Sequence, residues 1–83
     1  MEDVISNLLN VILHRLVSNP DALKITTEYC EQTDVTIYTI HADKKDMGRI
    51  IGKNGRIIRS IKVIALSAAI KNHLRISVQL ERV

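Results

Sequence analysis

Apolar residues recur at helical spacing over residues 4–17, where Val4, Ile5, Leu8, Leu9, Ile12 and Leu16 share one side and Asn7, Asn10, His14 and Arg15 fall off it. The pattern predicts an amphipathic helix. Ser18-Asn19-Pro20-Asp21 ends it, because proline lacks the amide hydrogen a helix needs and turns the residue before it away from helical backbone. Two runs rich in Ile, Val, Thr and Tyr follow, Lys24 to Cys30 and Val35 to His41. Only Glu31 to Asp34 separates them, so they read as two strands of a hairpin. Asp43 is placed to cap a short helix, with Asp46 three residues on as a weaker form of the capping box and Met47, Ile50 and Ile51 as its apolar side. Gly52 to Gly55 interrupts that helix. A longer one is predicted from about Arg56 to Lys71, and His73 to Gln79 alternates Leu74, Ile76 and Val78 against Arg75, Ser77 and Gln79 as a final strand. The expected order is α-β-β-α-α-β, an α+β fold.

The long helix carries apolar residues on two sides. Ile57, Ile61, Ile64, Ala65 and Ala68 form the expected core stripe. Val63, Leu66 and Ile70 fall within about 60° of one another on the opposite side, in angular line with Arg56 and Arg59. A lone chain would leave those three in water, which points to a helix-on-helix contact with a second chain. Deep packing of the helix within one chain is the plain alternative.

At 83 residues the chain is one small domain, 1–83, of a size that buries only about 60 to 65% of the surface it exposes unfolded. Hydrophobic residues at 46% and charged residues at 25% are the mixture of an ordered globular chain, not a disordered tail. No apolar run approaches the roughly 20 residues that cross a bilayer, and Met1-Glu2-Asp3 lacks the basic start of a secretory signal, so a soluble, cytoplasmic protein is expected. The single Cys30 allows no internal disulfide and no cysteine-based metal site, and is expected to pack as a small apolar residue. Charge is unevenly placed. Residues 1–46 hold eight acids and four bases, a local charge of −4, while residues 47–83 hold one acid and eight bases, a local charge of +7. Arg49, Lys53, Arg56, Arg59, Lys62, Lys71 and Arg75 fall in a stretch from Met47 to Leu80 with no acid at all, a pattern that attracts a polyanion. Solvated helix-face charge is the alternative reading of the same pattern.

The three glycines of the chain, Gly48, Gly52 and Gly55, all lie in this basic stretch. A tight glycine turn between two helices can bare main-chain N–H groups, and the helix beginning there adds its dipole, with Lys53, Arg56, Arg49 and Arg59 alongside. Such a site suits phosphate. A Walker A loop is disfavoured, since Gly48 to Gly52 is one residue too short and Asn54 stands where Ser or Thr is needed. A dinucleotide fingerprint fails as well, since the middle glycine is missing and the preceding segment is helical. What remains is a helix-loop-helix clamp on a nucleic-acid backbone, with Ile50, Ile51, Ile57 and Ile58 as an apolar wall for bases.

The run Ile51-Gly52-Lys53-Asn54-Gly55-Arg56-Ile57-Ile58 resembles the I-G-x-x-G-x-x-I signature of KH domains. With a helix and strands ahead of the motif and one strand after it, the order resembles the prokaryotic, type II KH fold, and the short chain with its leading helix and Asp46-Met47-Gly48-Arg49 is similar to the small bacterial KhpA family. The resemblance covers the whole chain. It implies a three-stranded mixed sheet with the helices on one face, the Val35 to His41 strand in the middle and Leu74 to Leu80 parallel to it. It also implies that Gly52 and Gly55 shape a loop gripping about four nucleotides of single-stranded RNA, that Lys53 and Asn54 face phosphate, that Arg56 adds charge, and that Ile51 and Ile58 line the base groove. An RNA chaperone or regulator is the implied role, as a homodimer or beside a larger KhpB-like KH protein, with Val63, Leu66 and Ile70 as the candidate contact.

Only Tyr29 and Tyr38 are aromatic, too few for the stacking surfaces of other RNA modules, so weak sequence preference and marked salt dependence are expected. His14, His41 and His73 lie on separate predicted elements without a nucleophile or metal-ligand spacing, and no enzyme, cofactor or metal site is expected. An interaction module that uses the fold only to dimerise, and a binder of single-stranded DNA, are the competing readings.

Overall fold

The computed structural model describes residues 3–81; the N-terminal Met1-Glu2 of the signal-sequence argument lies outside the described residues. Helix α1 spans Val4–His14, strands β1 and β2 span Lys24–Cys30 and Val35–His41, helices α2 and α3 span Lys44–Ile51 and Arg56–Lys71, and strand β3 spans Ile76–Leu80. Short 3-10 turns occupy Pro20–Ala22 and Lys53–Gly55.

Asp3 caps α1 by accepting from the Ser6 amide at 2.7 Å, satisfying one of the free N–H groups of the first turn. The helix buries Ile5, Leu9 and Leu13, a line at strict four-residue spacing. Leu8, Ile12 and Leu16 flank that line half-buried, and Val4 lies in water, so the predicted stripe is turned toward Leu13. The β1–β2 hairpin has the predicted bounds, antiparallel from Lys24↔His41 to Cys30↔Val35, with Asp34 in the left-handed region at its turn. β3 lies parallel to β2 from Thr36↔Ile76 to Ile40↔Leu80, giving the sheet order β1-β2-β3.

Tyr38, Ile40 and Val78 are buried on one sheet face and join the buried residues of all three helices in one core. The alternate positions carry Thr26, Thr39, His41, Ser77 and Gln79, and make side-chain hydrogen bonds to one another, Thr26 to His41 at 2.9 Å and Gln79 to Thr39 at 3.1 Å. The period-2 alternation thus gives the sheet one apolar face for the helices and an opposite face that is mostly polar, with Val35 and Ile37 half-buried on it. Cys30 is unpaired and half-buried at the end of β1, outside the core cluster.

Three expectations are corrected. The buried line of α3 is Ile58, Ile61, Ala65 and Ala69, one step around from the predicted stripe, and Ile57 and Ile64 are exposed. The short side chains of Ala65 and Ala69 on that line let α1 pack directly on α3. β3 begins at Ile76 and ends at Leu80, because the C-terminal turn of α3 runs on: His73 takes a left-handed φ of 56°, and the Leu74 amide returns to the Ala69 carbonyl at 2.8 Å. Asp46 is not half of a capping box. Asp43 alone caps α2, through the Lys45 amide at 3.2 Å, while the fully buried Asp46 accepts from the Ser18 amide at 2.9 Å, the Ser18 hydroxyl at 3.0 Å and the Asn19 amide at 3.0 Å. The Ser18 amide foremost, then the Asn19 amide, the Ser18 hydroxyl and the Arg49 charge, hold this carboxyl below the usual carboxylate range against the opposing effect of burial.

Candidate nucleic-acid interface

Between α2 and α3 the chain reverses in four residues, and three of them have positive φ: Gly52 at 74°, Asn54 at 57° and Gly55 at 73°. Gly52 combines its φ with a ψ of 177°, a conformation open essentially to glycine alone. Space requires glycine there too, since a Cβ would meet Ile57 Cγ1 at 2.5 Å and Ile57 Cβ at 2.8 Å. Gly55 stands in the left-handed region as the N-cap of α3 with room beside it, and asparagine is the residue other than glycine that most readily shares that region at position 54.

Both ends of the loop are fixed to the core. α2 is anchored by buried Asp46, Met47 and Ile50, and α3 by buried Ile58 and Ile61. Within the loop the Gly52 amide donates to the Gly48 carbonyl at 3.0 Å and the Gly55 amide to the Gly52 carbonyl at 3.2 Å. The amides of Lys53 and Asn54 have no acceptor among the described residues. They sit beside the N-terminus of a 16-residue helix, whose partial positive charge favours an anion.

Gly52, Lys53, Asn54, Gly55 and Arg56 come together as predicted in one turn, and the side chains of Lys53, Asn54 and Arg56 are exposed. Among the described residues no carboxylate pairs with Lys53, Arg56 or Arg59. Two predicted cations are engaged elsewhere: Arg49 leans on Asp46 at 3.4 Å, and Arg59 folds back so that its Nη2 donates to the Asn54 carbonyl at 2.6 Å. Of the four isoleucines expected as a wall for bases, Ile50 and Ile58 are in the core, while Ile51 is 38% exposed. Ile57, at 37% exposure, presents an apolar surface next to the loop, because one helical step turns a side chain by about 100°. Lys62, about 9 Å along α3 from Arg56, lines a cleft of about 210 Å³ with Leu66, Ile76, Ser77 and Val78, next to the free edge of β3. Sequence reasoning counted Lys62 only as charge. The signal available was the pairing of a helix cation with the outer strand of a parallel pair. Val63 and Ile70, 62% and 72% exposed, lie with Leu66 on the outer side of α3, and Val63 and Ile64 share a shallow depression with Arg59 and Ser60.

Comparison with known proteins gives consistent matches. Residues 6–80 match the family model described as "KhpA/KhpB, KH domain". The chain is 40% identical over 65 residues to the RNA-binding protein KhpA of Streptococcus pneumoniae, covering 78% of this chain and 80% of that one. It is 35% identical over 72 residues to the RNA-binding protein KhpA of Chlamydia pneumoniae, with 87% and 90% covered, and 35% identical over 74 residues to that of Listeria monocytogenes, with 88% and 93% covered.

Proposed function

The chain belongs to the KhpA/KhpB family of KH domains, and from that premise we propose that it binds single-stranded RNA by setting the Gly52–Gly55 loop against the sugar-phosphate backbone. The observation that carries this reading is the loop itself: an exposed reversal with two unpartnered amides, at the start of a long helix, flanked by Lys53 and Arg56 without carboxylate partners among the described residues. Backbone donors and fixed cations recognise phosphate whatever the base. Ile51 and Ile57 supply apolar contact for bases, and Lys62 continues the cationic track beside the uncharged edge of β3. With so little aromatic surface, base discrimination is weak and electrostatics dominates. The protein acts here as a binding domain and not as an enzyme, in the cytosol, where its free thiol stays reduced. No helix among the described residues is long and apolar enough to cross a membrane.

Replacing Lys53 and Asn54 together by Asp puts two negative charges where the phosphate sits and leaves the fold intact, since acids at a helix N-terminus are favourable. In a gel shift with single-stranded RNA at two salt concentrations, the double variant should lose binding at both. Binding at the wild-type level removes the loop as the site and favours an interaction module.

The exposed outer side of α3 supports one further element of the reading, self-association of the chain through Val63, Leu66 and Ile70. A two-fold pairing of α3 covers the same stripe on both copies. A KhpB-like KH protein competing for that stripe is the alternative occupant. Pairing brings two loops to one RNA and raises affinity through effective concentration.

A further inference from the structure

We propose that Arg59 is a positioning residue: it sets the shape of the Gly52–Gly55 loop, and through that shape the affinity for RNA, without itself gripping phosphate. The inference rests on the RNA-binding reading above and departs from the expectation that Arg59 is one more phosphate contact. Its guanidinium donates from Nη2 to the Asn54 carbonyl at 2.6 Å, a short charge-assisted bond. The same peptide group is held at its other end, where the Gly55 amide donates to the Gly52 carbonyl at 3.2 Å. With both ends tied, the plane of the Asn54–Gly55 peptide cannot rotate freely.

That restraint matters because Asn54 is the one non-glycine residue of the loop at positive φ. Without that restraint Asn54 relaxes to negative φ, and its carbonyl, an acceptor that repels phosphate oxygens, is no longer held toward α3. Arg59 draws that oxygen toward α3 instead and leaves the amides of Lys53 and Asn54 as the free donors of the turn. Position 55 is crowded by nothing but this contact, Arg59 Nη2 standing 3.9 Å from where a Cβ would lie, so glycine serves there through its left-handed φ of 73°. With that donor committed inward, Arg59 contributes a bond to the loop and no contact to phosphate.

The test compares Arg59→Gln and Lys53→Gln with the wild type. Binding of a fluorescent single-stranded oligoribonucleotide is followed by anisotropy across a salt series, and the Asn54 and Gly55 amides of the free proteins are followed by NMR shift and hydrogen exchange. Arg59→Gln should weaken binding about tenfold at every salt concentration with an unchanged salt slope, and should shift the two amides and speed their exchange. Lys53→Gln should flatten the slope by about 0.7, the value of one phosphate contact on a single strand, and leave the Gly55 amide unmoved. A slope flattened by Arg59→Gln with undisturbed loop amides makes Arg59 a phosphate ligand and overturns the proposal. So does a reshaped loop that binds as tightly as before. If Lys53→Gln also leaves affinity and slope untouched, it is the loop's role in RNA binding that has failed, and the proposal falls with it.

Discussion

Substituting alanine at each of the three glycines in turn tests whether the loop has the backbone described above. At Gly52 the new Cβ would lie 2.8 Å from Ile57 Cβ, an atom fixed to the α3 backbone that no rotamer change can move, and the backbone sits at φ 74°, ψ 177°. Holding a non-glycine residue in that region costs about 1–3 kcal/mol, and the overpacking a further 1–3 kcal/mol or so. A loss of about 3 kcal/mol, in the lower half of that summed range, is a large share of the roughly 4–12 kcal/mol expected of an 83-residue domain. It should lower the melting temperature by about 12–24 °C. Gly55→Ala meets only Arg59, at 3.9 Å, and carries the left-handed penalty alone, about 1–2 kcal/mol. Gly48→Ala, on helix α2 with nothing within 4 Å, should stabilise by up to about 1 kcal/mol. Urea unfolding with a shared m-value gives all three on one scale. Gly52→Ala falling within about 1 kcal/mol of wild type, or proving milder than Gly55→Ala, would refute the assigned backbone and the Ile57 contact with it.

Further outcomes are expected elsewhere. Ile70→Glu should halve the mass seen by light scattering if the outer side of α3 joins two copies; Ile70 is the better site than Leu66, which also lines the cleft beside β3, and an unchanged mass removes the stripe as the interface. Asp46→Asn should destabilise the domain at neutral pH. Because the folded carboxyl lies below its ordinary value of about 3.9, its contribution is fully present above that pH and disappears as pH falls through the folded pKa, so the wild-type advantage should shrink in acid. Parallel pH profiles for wild type and variant, from urea unfolding, would contradict that assignment. Leu9→Ala, at a fully buried position of α1, should cost about 2–5 kcal/mol, and a smaller loss by the same assay would mean that α1 is not part of the core.

The elements were legible wherever one signal acted alone. Both strands of the hairpin have the predicted bounds because β-branched and threonine residues fill them and no helical stripe competes. The limits of α3 follow from Gly55 at one end and the polar Asn72-His73 at the other. Its rotation was not legible. Isoleucine, valine or leucine occurs on every side of that helix, so periodicity admits core lines a step apart, and only the small Ala65 and Ala69 facing α1 decide between them. The same ambiguity kept Ile58 beside Ile57 in the expected groove wall, although only Ile57 of the two is exposed. Asp46 was misread, and the bond of Arg59 to Asn54 missed, for a different reason. Each has a main-chain partner, Asp46 across 28 residues and Arg59 at a carbonyl five residues back, and the residue types of a sequence do not reveal which peptide groups are left unpaired.

The loop's placement bears on how such a small surface binds at all. A flexible glycine turn gives up conformational freedom on meeting RNA, and that loss subtracts directly from affinity. Here Met47 and Ile50 on one side and Ile58 and Ile61 on the other are buried in the same core, within a few residues of Gly52 and Gly55. Ile57 presses against Gly52, and Arg59 ties down Asn54. The ordering cost therefore falls at folding, where hydrophobic burial offsets it, and not at binding. It follows that stability and affinity are coupled through the junction. If RNA is gripped by the loop as proposed, a substitution that loosens the start of α3 is expected to weaken binding, read by anisotropy, before it unfolds the domain, even with every exposed residue of the loop unchanged.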